Sequence, residues 1–153
     1  SHLQTLRLHT RLPVIIPSRI DSGLLALLKK TRFKVVLVTH INHANEIRHQ
    51  EKNKCQLLHD AGITLFNQSV LLRGVNDNTA ALVELSKKLF ACNVQPYYLH
   101  LLDPVKGAMH YSVDRETAIG LHQEMEHSLP GYLLPRLVQE IAGNRSKTAI
   151  FRN

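Results

Sequence analysis

The sequence predicts an α/β fold, read as the C-terminal part of a larger (βα) TIM-type barrel with parallel strands alternating with helices. Three observations predict it. Short apolar runs recur with one helical pattern between each pair, which implies parallel pairing through crossovers. The second run is almost continuously apolar, as a strand buried on both faces must be. The carboxyl ends of the runs are all polar, and in parallel sheets function collects at those ends.

The elements follow in order. Thr5 to Thr10 (TLRLHT) is the first strand, and Leu24, Leu25, Leu27 and Leu28 mark the first helix. Phe33 to His40 (FKVVLVTH) is the second strand. Ile47, Cys55, Leu58 and Ala61 form the stripe of the next helix, ended by Gly62 at the helix-terminating position. Ile63 to Leu71 is the third strand. Leu82, Leu85, Leu89 and Cys92 make the third helix, with Asn78 as its N-cap. Val94 to Leu102 is the fourth strand, and a last helix runs from Val113 to His127 and stops before Pro130-Gly131. Four strands are too few to close a barrel of eight. Residues 1–112 are read as βα units of the barrel and 113–153 as a terminal helix and lysine segment.

Composition narrows the class. The chain is 153 residues long, 44% hydrophobic and 5% aromatic without Trp, the profile of a globular protein with an aliphatic core. No apolar run approaches the roughly 20 residues of a membrane span, and Ser1 to Pro13 does not read as a signal peptide, so a cytoplasmic protein is expected. The net charge of +7 draws anions, but Lys and Arg are scattered, which argues against a dedicated nucleic-acid face. Cys55 and Cys92 lack metal-finger spacing and are expected in the core.

The polar ends are His9-Thr10-Arg11, Thr39-His40-Ile41-Asn42-His43, Asn67-Gln68-Ser69 and His100 to Asp103, expected on one rim. Past them stand Glu140 and Lys147. Two carboxylates and a lysine form a set able to hold an amine substrate and a carbonyl cofactor. His40, His43 and Glu46 raise a zinc reading, but a strand-to-loop transition does not aim both rings and no third nitrogen or sulfur ligand is evident.

Five blocks resemble the lysine 2,3-aminomutase family of radical SAM enzymes, in the family's order and over nearly the whole chain. They are Arg7 to Ile20, Thr39 to Ile47, Asn67 to Asp77, Tyr97 to His110 and Ser146-Lys147-Thr148. The sequence is most similar to the bacterial branch that makes β-lysine for modification of elongation factor P, on the Gly-Asn-Arg-Ser before Lys147 and the short end after it. The resemblance implies a reaction in which S-adenosylmethionine, cleaved at a [4Fe-4S] cluster, yields a radical that takes hydrogen from lysine bound to pyridoxal 5'-phosphate. The amino group then moves from the α to the β carbon.

It also implies roles. Lys147 matches the lysine that attaches pyridoxal phosphate; without the motif it would read as an exposed C-terminal lysine. Asp103 matches the acid on the substrate's distant ammonium, against the plain reading of a turn aspartate before Pro104. Glu140 stands where the free-lysine enzymes usually have Asp and would be a second ammonium clamp with a longer reach. His40 and Gln68 match positions around the S-adenosylmethionine and pyridoxal phosphate sites; His40 reads equally well as a structural histidine. Arg11 is a fork for a carboxylate or phosphate, or a solvated charge. His100 takes a place often aromatic in relatives and would line the cofactor ring.

The family's CxxxCxxC cluster loop is absent from the sequence, and two distant cysteines cannot replace it. The chain alone is therefore expected to be inactive. Two readings stand: the C-terminal portion of a lysine 2,3-aminomutase, or a non-catalytic α/β module that keeps the rim and binds an acidic partner or nucleic acid. An unpaired first strand would invite self-association, as a homo-oligomer or as an aggregate.

Overall fold

A computed structural model describes residues 2–151. Its elements are β1 (Thr5–Thr10), α1 (Leu12–Ile15), α2 (Ser22–Lys30), β2 (Lys34–Thr39), α3 (His49–Asp60), β3 (Thr64–Val70), α4 (Thr79–Phe90), β4 (Gln95–His100), α5 (Arg115–Ser128), β5 (Arg136–Gln139) and β6 (Thr148–Ala149). The strands form one sheet in the order β1-β2-β3-β4-β5-β6. All neighbours pair in parallel except β5 and β6, which are antiparallel. The α/β expectation and its strand order hold, and β1 pairs on one side only among the described residues.

Local chemistry accounts for the element ends. Asp21, Asn78 and Asp114 each accept a hydrogen bond from a first-turn amide, Leu24 N at 2.8 Å, Ala81 N at 2.9 Å and Thr117 N at 2.8 Å, which satisfies a donor the helix cannot. Gly62 follows α3 with φ +79°, a left-handed conformation that carries no penalty for glycine.

Some boundaries differ from the sequence reading. Ile47 lies before α3, closing a 3₁₀ turn over Ala44–Glu46. Cys92 falls outside α4: the helix stops at Phe90 and Asn93 turns the chain with φ +60°, yet the Cys92 side chain stays in the core. Strands β5 and β6, past residue 112, extend the sheet beyond the four runs expected. Four and two residues long, they are too short to show a period.

Helices cover one face of the sheet. Leu8, Val35, Leu37 and Leu65 of the strands pack with Leu28 of α2, Cys55 and Leu58 of α3, and Leu85 and Leu89 of α4. A second cluster joins Leu99 and Leu137 to Leu82 of α4 and to Ala118 and Met125 of α5. Each fully buried leucine here contributes about 2 kcal/mol by leaving water. Because strand side chains alternate, the residues between these leucines project to the opposite face. Among the described residues, no helix is long and apolar enough to cross a membrane.

Candidate active site

Register brings the polar strand ends to one rim: Thr10 lies beside Thr39, Thr39 beside Asn67, Gln68 beside Tyr98, and Val70 beside His100. The pleat then divides them. Thr39, Asn67 and Ser69 share the helix-facing phase of Leu65 and are buried. Asn67 is their hub. Its Oδ1 accepts from Thr39 Oγ1 at 2.8 Å and Ile41 N at 2.9 Å, and its Nδ2 donates to Ile41 O and Ser69 Oγ at 3.0 Å. Asn76, fully buried, donates to Asn42 O at 2.8 Å and Val70 O at 2.9 Å and accepts from Leu72 N at 2.7 Å. These amides fasten the loops after β2 and β3, and so hold the backbone that carries His40 and Gln68.

The opposite phase carries His9, His40, Gln68, Tyr98 and His100. A register shift between Asn67 and Gln68 sets Tyr97 as an extra residue in β4, with its ring 3.9 Å from that of Tyr98 and 5.0 Å from that of Phe66. The His9 and His40 rings meet edge-on at 6.1 Å, and Tyr98 and His100 at 5.7 Å.

Lys147 arrives from the β5–β6 hairpin. Gly143 turns it with φ +87°, Asn144 N donates to Ile141 O at 3.0 Å, and Gln139 pairs with Thr148. This sets Lys147 opposite Glu140, and its ammonium donates to Glu140 Oε1. Lys147 Nζ also lies 5.6 Å from the centre of the Tyr98 ring, within reach of its negative face. A cleft of about 260 Å³ is lined by Glu140, Ile141, Asn144, Arg145, Ser146 and Lys147.

Charge at this rim is one-sided. Burial, then the Lys147 ammonium, pushes the His100 imidazole down to about 4. His40 is lowered by burial and by His9, Arg11 and Lys147, and His9 by burial, Arg7 and Lys147. At neutral pH the three rings are therefore neutral, each with one donor and one acceptor nitrogen. Glu140 is held below the usual carboxylate range by its bond to Lys147.

Two buried polar atoms on this face have no partner: Gln68 Oε1 and His100 Nε2. An unsatisfied buried group costs about 1–3 kcal/mol, so such a pair marks where a polar ligand would be welcomed. Pyridoxal phosphate and the adenosyl group both offer the donors and acceptors these atoms lack. Together with a lysine amine at the mouth, the donor set fits such a ligand.

The other expected residues lie elsewhere on the rim. Arg11 is bonded to Glu46 Oε2 at 2.9 Å, while the other oxygen of Glu46 accepts from Asn42 N at 2.7 Å and His43 N at 3.0 Å. His43 Nδ1 accepts from Asn45 N at 3.1 Å. Glu46 and His43 thus organise the loop after β2. No group of three or more metal-ligating side chains occurs among the described residues. Asp103 is exposed, three residues past β4, and among the described residues its carboxylate has no hydrogen bond or ion pair. His9 was placed on the rim by the sequence without a role, and Tyr98 was not singled out. Two-residue alternation from Leu8 and Leu99, once those are known to face the helices, was the signal for both.

Comparison with known proteins supplies the context. No family model matches the chain. It is 50% identical over 152 residues to an L-lysine 2,3-aminomutase of Buchnera aphidicola, covering 99% of this chain and 45% of the relative. The protein of that name from Escherichia coli K12 is 45% identical over 149 residues, 97% of this chain and 44% of the relative. The one from Clostridium subterminale is 40% identical over 152 residues, 99% and 36%. The chain thus spans somewhat under half the length of the first two. Among solved structures, a radical SAM methyltransferase from Sphaerobacter thermophilus superposes with a TM-score of 0.61 at 17% identity, over 87% of this chain and 40% of that one, a likeness of fold. Nearly every residue of the chain aligns to these aminomutases and up to half are identical, so the chain is similar along its whole length to a part of the lysine 2,3-aminomutases.

Proposed function

We propose that the chain is the part of a lysine 2,3-aminomutase that holds pyridoxal phosphate and the lysine substrate, and that the β-lysine formed serves elongation factor P in the cytoplasm. One observation carries the reading: Lys147 is bonded to Glu140, lies 5.6 Å from the Tyr98 ring and lowers the His100 imidazole, whose Nε2 is a buried atom without a partner. An amine nucleophile beside unsatisfied polar atoms is what a carbonyl cofactor needs.

The chain's own residues would divide the work. Lys147 attaches the cofactor, and His100 and Tyr98 line its ring. Gln68 and His40 take the polar groups of the cofactor and of S-adenosylmethionine. Glu140 and Asp103 hold ammonium groups of the substrate. Arg11 reaches a phosphate or carboxylate only by leaving Glu46. Bound pyridoxal phosphate supplies a conjugated ring that lets nitrogen pass between neighbouring carbons after a hydrogen atom is lost. The iron-sulfur cluster draws its thiolates from outside this sequence. Cys55 and Cys92 are both buried in the core, and the Cys55 thiol is pushed up to about 12.

Treatment of the purified chain with pyridoxal phosphate and borohydride, followed by peptide mapping, tests this. Reduction products concentrated at Lys147 are expected, and absent in Lys147→Ala. Labelling spread over surface lysines, with Lys147 no more reactive than the rest, would defeat the proposal.

A further inference from the structure

Glu140 has two claimants. In the structure its carboxylate is bonded to Lys147, seven residues on and across the β5–β6 hairpin. The proposed function gives the same carboxylate an ammonium of the substrate. The Lys147 side chain is 26% exposed and that of Glu140 is 53% exposed, so Glu140 can turn outward at little cost while Lys147 is held against Tyr98.

Resting on the proposed function, we propose that Glu140 is an exchange residue, which guards Lys147 until the aldehyde is captured and is then released to bind the substrate's side-chain cation. Capture joins Lys147 Nζ to the aldehyde carbon through a double bond, and two of the three ammonium protons leave with the carbonyl oxygen as water. The nitrogen then has at most one N–H to donate where it had three. Glu140 loses most of its partner and turns to the next cation. Nothing else in the cleft competes for it: Arg145 lines the same cleft but makes no ion pair with it among the described residues.

Coupling of this kind must be reciprocal, so a cation that occupies Glu140 must in turn favour aldehyde capture. The Glu140–Lys147 pair is partly exposed, which limits the effect to about two- to five-fold in apparent affinity. The sign is the distinctive part. A cation competing for the site as a plain blocker would weaken capture, whereas the exchange strengthens it.

The test titrates the chain with pyridoxal phosphate by visible absorption, with and without n-butylguanidinium, whose fork suits a carboxylate and which cannot itself condense with the aldehyde. Borohydride mapping confirms the site. In the parent chain, saturating n-butylguanidinium should tighten capture at Lys147 by about two- to five-fold. Glu140→Gln should capture as tightly as the guanidinium-saturated parent and not respond to the additive. Capture at Lys147 with no response in the parent, or an equal response in Glu140→Gln, overturns the exchange and leaves the proposed function standing. Absence of capture at Lys147 in both chains overturns the two together.

Discussion

Asn67 and Gln68 are adjacent polar residues in β3, and the fold gives them opposite fates. Replacing Asn67 with alanine removes four hydrogen bonds and takes the buried partner from Ile41 N and O and from Ser69 Oγ, while the Thr39 hydroxyl keeps Phe66 O at 3.1 Å. At about 1 kcal/mol for each bond lost, the loss is about 3–4 kcal/mol. With a urea slope of about 2 kcal/mol per molar, the unfolding midpoint should fall by about 1.5–2 M. Gln68→Ala removes an oxygen that has no partner, so it should cost less than about 1 kcal/mol. Far-UV circular dichroism through a urea titration reads both. Equal midpoints for the two variants, or an Asn67→Ala chain as stable as the parent, would refute the division of the rim into a structural and a ligand-facing side.

Three further outcomes are expected. His9, His40 and His100 are all lowered in the fold, so below pH 6.5 the unfolded chain takes up protons first. Stability should be full above pH 6.5 and decline toward about 4, the value of His100; His100→Phe should flatten that decline in urea titrations across the range. Asn78→Ala, which leaves the Ala81 amide without its cap, should cost about 1 kcal/mol in the same measurement. We also propose that the side of β1 with no partner strand among the described residues drives self-association of this chain, expected as a mass that rises with concentration in light scattering. A monodisperse monomer throughout would end that proposal.

Much of this was legible in the residues. The bounds of β1, the Asn78 cap, the helix stop at Gly62 and the core positions of Cys55 and Cys92 all follow from local pattern and from the size and polarity of single side chains. The polar rim was legible too, because parallel pairing brings every strand's carboxyl end to one side. Strands β5 and β6 were not, since segments so short are strands only through their neighbours: Tyr98 pairs with Arg136, and Gln139 with Thr148. Asp103 shows the limit from the other side. A carboxylate placed by sequence at a strand end lies three residues beyond it, exposed.

The sequence by itself determined the order of β1 to β4 with the long helices between them and which chemical groups stand near the rim, because propensity, capping and apolar period are local. Only the tertiary structure decided which face each group serves. The two-residue period of a strand has no absolute phase until helices cover one side, and that covering buries Asn67 as a strut while leaving Gln68 and His100 facing the open side. It also decided that Lys147, 47 residues after His100 in the chain, lies close enough for its charge to lower that imidazole while it is bonded to Glu140. Contacts between residues so far apart arise from the pairing of β5 with β4 and of β6 with β5.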